Sequence, residues 1–227
     1  MKILIPFILI TYSLLAESAI INGVKVSSQE EKEFKSFIAT GKIVVNADLE
    51  TIKNEILKFN NRCNQDNKKR RQFTDKNYKC PYHNPSLVES VIIKDIKNKR
   101  LDKETTDRFL VWRNVYNRNA YSYYDLVSVK NKSNGIDIEY LMLPDTEVSK
   151  YLNEFTKKET AFDKSSGVFE IRKSKNGQIT LVLKYYSKTN HWLLSSKMAE
   201  STIYEKVAKG VSLAIESVKK ASEAKKN

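Results

Sequence analysis

The 227-residue chain is 41% hydrophobic and 30% charged, enough apolar material to bury one substantial core and too much for a disordered chain. Six glycines and four prolines exclude a collagen-like repeat, and no self-similarity of solenoid period is present. The formal charge of +13 would suggest nucleic acid in a cytosolic protein, yet no recognition motif accompanies it, and nucleic acid is not an expected partner.

The N-terminus reads as an export signal. Lys2 is a minimal basic region, residues 3–15 are apolar, and Ala16-Glu17-Ser18 supplies small residues for cleavage. The apolar stretch is short of the roughly 20 residues of a spanning helix and is diluted by Pro6, Thr11, Tyr12 and Ser13. A signal peptide over residues 1–18 and one mature domain over 19–227 are therefore expected. The protein would be periplasmic in a Gram-negative bacterium and secreted otherwise.

Residues 20–34 carry little pattern beyond "SSQEEKEF", read as a short helical turn. "SFIATGKIVVNA" reads as a strand, and Asp48 is a good N-cap for "LETIKNEILKF", where Leu49, Ile52, Ile56 and Phe59 form one apolar face. Cys63 and Cys80, the only cysteines, bound a polar stretch, and export lets them pair. Closing such a loop is worth roughly 3 kcal/mol in the chain-entropy model. The competing metal reading takes Cys80 and His83 as a half-site with Cys63 and His191 as distant completions; no second close pair supports it, so no metal is expected. Inside the loop, Lys68, Lys69, Arg70 and Arg71 form the densest basic cluster. It is either a solvated loop or a transient contact with an anionic membrane face.

"SLVESVIIKDI", "RFLVWRNVY" and "AYSYYDLVSV" read as strands rich in aromatic and β-branched residues. "GIDIEYLML" places Ile136, Ile138, Tyr140 and Met142 on one face. Pro144 and Asp145 start a short helix carrying Val148, Tyr151, Leu152 and Phe155. In "GVFEIRKSKNGQITLVLKYY", Asn176-Gly177 is the preferred pair for a two-residue type I′ turn. That loop sets Arg172 opposite Leu181 and Glu170 opposite Leu183, so both charges share a face with Ile179, Leu181, Leu183 and Tyr185. The last helical pattern lies within residues 189–220, with Ile203, Val207, Gly210, Val211, Ala214 and Val218 on one side and Glu205, Lys206, Lys209, Glu216 and Lys219 on the other. No large aromatic is placed on its apolar side, which favours packing on a sheet over lying on a membrane.

The order and spacing of "GKIVVNADLETIKNEILKF", "NPSLVESVIIKDI" and "HWLLSSKMAESTIYEKVAKGVSLAIESVKK" resemble the START-related (SRPBCC, helix-grip) superfamily over nearly the whole mature chain. The cysteine-bounded loop departs from that family's usual short link. The resemblance implies an α+β fold, a curved antiparallel sheet gripping a long C-terminal helix around a ligand cavity. It further implies a protein that holds or transfers a hydrophobic or amphipathic ligand, a lipid, and an exported monomer without a cofactor is expected. Glu170 and Arg172 would anchor the polar end; Tyr140, Met142, Leu181, Leu183 and Tyr185 would line the sheet side, and Val207, Gly210 and Val211 the helix wall. Two alternatives stay open. A cavity-based cyclase or hydrolase would have only His83 and His191 as histidines and no G-x-S-x-G, and a basic interaction protein would carry no ligand.

Overall fold

In the computed structural model the described residues are 18–31, 34–58, 61–62, 87–96, 104–117, 119–155, 157–158, 160, 162–191 and 196–225. Among these residues ten strands form one sheet: β1 (Ser18–Ile21), β2 (Val24–Glu31), β3 (Phe34–Val45), β4 (Asn61–Arg62), β5 (Leu87–Asp95), β6 (Thr105–Asn117), β7 (Asn119–Lys132), β8 (Gly135–Met142), β9 (Lys164–Lys173) and β10 (Ile179–Thr189). Their order is β1-β2-β3-β10-β9-β8-β7-β6-β5-β4, and every neighbouring pair is antiparallel. Among the described residues three helices accompany it: α1 (Leu49–Ile56), α2 (Asp145–Val148) and α3 (Lys197–Glu223). The α+β architecture read from the sequence, a curved antiparallel sheet with a long terminal helix, is the observed one.

Alternation along the strands assigns the two sides. Phe37, Ala39, Ile138, Ile171, Leu181 and Leu183 are buried toward the helices, against Ile52 and Ile56 of α1 and Ile203, Tyr204, Ala208, Val211 and Ile215 of α3. A second core lies on the other side, where Leu143, Val148, Tyr151, Leu152 and Phe155 cover Leu110 and Tyr124. Of the apolar residues of the expected short helix, Val148 is buried and Tyr151, Leu152 and Phe155 are half-buried against this core, although only Asp145–Val148 wind into helix. Helix α1 starts where Asp48 caps it, accepting from the Thr51 amide at 2.8 Å and the Thr51 hydroxyl at 2.6 Å. Those two bonds hold the Asp48 carboxyl below its usual range. Phe59, the last apolar position assigned to this helix, lies outside the described residues.

Helix α3 lies close against the sheet over Gly41. A Cβ there would sit 2.7 Å from Val211 Cγ1 and 3.1 Å from Ile215 Cδ1, and valine has no long flexible arm to withdraw. Gly41→Ala should cost about 1–3 kcal/mol by overpacking, measured as a shift of the denaturant midpoint; an unchanged midpoint would mean that α3 rides farther from the sheet.

Three local readings change. The stretch read as little-patterned holds the end of β1 and all of β2, because Asn22 (φ 51°) and Gly23 (φ 76°) make a tight hairpin turn, the I′ geometry that this dipeptide favours. At Asn176-Gly177 the same dipeptide does something else. Only Gly177 has positive φ (84°). Its amide donates to the Ser174 carbonyl at 3.0 Å, and the Ser174 amide donates to the Gln178 carbonyl at 2.9 Å. The loop is thus three residues long with the glycine in the bulge position, and the Ser174 hydroxyl secures it on the Asn176 side chain and on the Gln178 carbonyl. One extra loop residue shifts the register, so Leu181 faces Ile171, Val182 faces Glu170 and Thr180 faces Arg172. Such a shift moves alternate side chains to the opposite side.

The third change concerns α3, whose buried residues are Glu200, Ile203, Tyr204, Ala208, Val211, Ile215 and Ser222. A large aromatic does occupy the inner side, and Gly210 does not: it is exposed and a Cβ on it would meet nothing within 4 Å. Successive helix residues differ by 100°, so Gly210 is rotated away from the stripe that Val211 centres. Gly210→Ala should therefore stabilise the protein by roughly 0.5–1 kcal/mol, read as a higher melting temperature.

Candidate functional site

On β6, Phe109, Val111 and Arg113 point to the helix side, directly opposite Val127, Asp125 and Tyr123 of β7. A charge on each strand thus occupies a position where the alternation calls for an apolar residue. Arg113 Nε donates to Asp125 Oδ2 at 2.5 Å, and the two side chains are only 17% and 4% exposed. Burying such a pair costs more in lost hydration than most pairs return in attraction, so it is a poor stabiliser compared with two apolar residues. Burial pushes the Asp125 carboxyl upward, with Arg113 pulling it back. Burial opposes the charge on Arg113 as well, and the attraction of Asp125 outweighs it, keeping the guanidinium charged.

Three phenols surround this pair. Tyr123 lies directly across from Arg113. Tyr140 of β8 is opposite Val127, and Gly167 of β9 separates it from Tyr185 of β10. Gly167 is required there: a Cβ would lie 2.2 Å from the Tyr140 hydroxyl, so the missing side chain makes room for the ring. Tyr140 also packs against Phe169 at 6.2 Å between ring centroids. Burial raises all three hydroxyls above their ordinary value, the Ser165 side chain working against the rise at Tyr185. They stay neutral and available as donors. Tyr123, Tyr140 and Tyr185 nevertheless keep part of their surface, as expected where the covering is incomplete. The main contacts of α3 are with β1, β2, β3, β10 and α1, and those of α1 with β8 and β9. Neither helix has its main contacts with β6 or β7, the strands that carry the ion pair and Tyr123.

A second polar group closes one end. Lys35 of β3, 2% exposed, holds Glu200 in the first turn of α3 at 3.1 Å. The Ser28 hydroxyl donates to the other Glu200 oxygen, and the Tyr204 hydroxyl donates to Ser28 at 2.8 Å. Burial works to raise the Glu200 carboxyl, but its bonds to Ser28, Lys35 and Tyr204 prevail and hold it below its ordinary value.

Of the residues assigned from the sequence, Tyr140, Met142, Leu181, Leu183 and Tyr185 share the helix side with Arg113 and Asp125, by the register of β7 to β10. Glu170 and Arg172 do not. They lie on the opposite side, where Glu170 pairs with Lys184 at 2.6 Å and Arg172 with Asp137 at 2.5 Å, because the hairpin register differs by one residue. Val211 is buried and Val207 half-buried in the helix interface, whereas Gly210 is outside it. His191 is exposed. Cys63, Cys80, His83 and the cluster Lys68, Lys69, Arg70 and Arg71 lie outside the described residues. Arg113 and Asp125 were legible in principle, as charges interrupting the apolar parity of "RFLVWRNVY" and "YDLVSV". Lys35 and Glu200 carry no local signal, since they meet only in the tertiary structure. Among the described residues no group of three or more His, Cys, Asp or Glu side chains is placed to hold a metal.

No protein-family model matches the chain, and a comparison with curated proteins found no match. Solved structures do resemble it. The STAR-related lipid transfer protein from Xanthomonas axonopodis superposes with a TM-score of 0.52 at 12% identity, over 90% of this chain and 97% of that one. Human STARD10 gives a TM-score of 0.52 at 10% identity, over 91% and 72%. A protein from Thermus thermophilus gives 0.52 at 9%, over 84% and 99%. Ten antiparallel strands closed by a terminal helix, superposing on these chains over most of its length, give this protein the helix-grip fold of the START-related superfamily.

Proposed function

We propose that the protein holds or transfers an amphipathic ligand, a lipid, on the helix side of its sheet, and does so outside the cytoplasm. The observation that carries this reading is the Arg113–Asp125 pair, buried among neutral tyrosines on an otherwise apolar surface. An ion pair there is a net burden on folding, and binding is what repays it. The guanidinium and phenols donate and the carboxylate accepts, so the site suits a polar group that does both, such as a hydroxyl, an amide or a zwitterionic head. Val111, Val127, Phe169 and Leu183 would take the apolar part. The resemblance to a lipid transfer protein of the same fold supports the ligand class, and the apolar residues 3–15 support export.

One preparation tests both halves. Protein recovered from its exported pool is extracted with organic solvent and analysed by mass spectrometry, which should yield lipid in near-stoichiometric amount. The intact mass should place the N-terminus at Ala19 or Ile20. Protein that is repeatedly empty, and stays empty after incubation with mixed lipid vesicles, would overturn the binding function; an intact residue 1 would overturn export alone.

A further inference from the structure

On the side of the sheet away from α3, the alternation along four strands decides which charges meet solvent. Val24 and Val26 of β2, Phe37 and Ala39 of β3, Leu181 and Leu183 of β10 and Ile171 of β9 are buried inward. Lys25 of β2, Lys42 of β3, Lys184 and Lys188 of β10, and Lys164 and Arg172 of β9 therefore lie outward. Among the described side chains of these strands one carboxylate, Glu170, shares that side, and it pairs with Lys184 at 2.6 Å. Arg172 is held by Asp137 of β8 at 2.5 Å and by the Ile136 and Ile171 carbonyls. Lys25, Lys42 and Lys164 are exposed and form no ion pair among the described residues. Lys164 stands directly opposite Lys188, a like-charge pairing that costs stability in a sheet and that an outside anion relieves. Between the cations Ile38 is 43% and Val44 44% exposed, and half-buried Tyr186 lies directly opposite Ile38.

We propose that this patch docks the protein on an anionic phospholipid surface. Its lysines are scattered through the sequence, so only the folded sheet gathers them, and each ammonium held near such a surface adds to the attraction. With Arg172 already engaged, what remains are point charges on flexible stems, fit for a diffuse layer of phosphates and not for one bidentate site. Ile38, Val44 and Tyr186 distinguish a bilayer from a soluble polyanion. The interface of a bilayer takes aliphatic and phenolic side chains beside lysine, whereas a soluble polyanion offers them nothing apolar. The segment 143–155 covers the far part of this side, over Leu110 and Tyr124, and a twist of roughly 20–25° per strand turns β2 and β3 away from it. The patch lies across the sheet from the ligand site, so the docking stands whether or not that site holds lipid.

Co-sedimentation of the mature chain with vesicles tests this. Phosphatidylcholine vesicles that contain phosphatidylglycerol should bind it, vesicles of phosphatidylcholine alone should not, and added salt should weaken the binding. The triple variant Lys25→Gln/Lys42→Gln/Lys164→Gln, at exposed positions, should bind roughly 100-fold more weakly, at about fivefold per lysine. Its melting temperature and its extracted lipid should match the parent's, which keeps this test apart from that of the ligand site. Lys206→Gln/Lys209→Gln/Lys220→Gln removes the same charge from exposed positions of α3, across the sheet, and should bind nearly as the parent does. Ile38→Ser should bind several-fold more weakly at every salt concentration. No binding by the parent, binding indifferent to phosphatidylglycerol, or an unchanged sheet variant would overturn the proposal. Equal losses in the two lysine triples would overturn it too, by showing that net charge alone is at work. So would an Ile38→Ser form that binds as the parent does while poly-glutamate displaces the protein from the vesicles, which would give the patch to a soluble acidic partner.

Discussion

Arg113→Leu should destabilise the protein by roughly 3–5 kcal/mol, because it strands the Asp125 carboxylate at a buried position without its cation. The double variant Arg113→Leu/Asp125→Leu should recover most of that loss, or exceed the parent in stability, since two apolar side chains suit this part of the sheet better than an ion pair does. The pH dependence of the single variant has a definite sign. Burial already raises the Asp125 carboxyl above its unfolded value, and removal of the guanidinium raises it further. A carboxyl raised in the folded state favours folding when protonated, and that advantage is lost as pH rises through the folded pKa. The deficit of Arg113→Leu should therefore be largest at neutral pH and shrink in acid. Chemical denaturation across a pH series measures it, and a deficit independent of pH would mean that Asp125 finds other partners. Extraction of the double variant separates structure from function. A folded protein without lipid assigns the pair to the ligand, whereas full lipid content would return it to an incidental place in the core.

Lys35→Met is the second large effect, expected at about 3 kcal/mol, again from a carboxylate left without its cation. In the parent, Glu200 is held below its ordinary pKa despite burial, through Ser28, Lys35 and Tyr204. A carboxyl lowered in this way contributes stability above its unfolded pKa of about 4.3, and the contribution disappears as pH falls through the lower folded value. Removing Lys35 withdraws part of that lowering, so the acid-unfolding midpoint should move to higher pH. Circular dichroism during acid titration reads the shift, and an unmoved midpoint would show that Ser28 and Tyr204 suffice to hold Glu200. The consequence for binding lies at the start of α3: this cluster ties the first turns of the helix to β2 and β3, so the variant should also exchange backbone amides faster over residues 197–204 than over the part of the helix packed on Gly41.

Periodicity within single segments was enough to read β3 and the strands β5 to β10, the Asp48 cap of α1, the apolar residues that cover the second core, and the terminal helix. Each of these depends on local rules, alternation at two residues, recurrence at three and four, and a capping oxygen for an otherwise unpaired amide. The two Asn-Gly dipeptides show where local rules stop. At residues 22–23 both members take positive φ and the turn is tight; at 176–177 only the glycine does, because the Ser174 and Asn176 side chains favour a longer loop. That single residue moved Glu170 and Arg172 away from the helix side, and with them the anchor that the sequence had suggested. The anchor that the fold supplies instead joins Arg113 and Asp125, 12 positions apart across the β6–β7 hairpin, and was visible only as a break in parity. The contact between Ser28 and Glu200 spans 172 positions and left no trace in either segment. A polar residue placed on an inner side says that a partner must exist, but which partner depends on how β2, β3 and α3 come together, and that is decided only when the sheet closes on its helix.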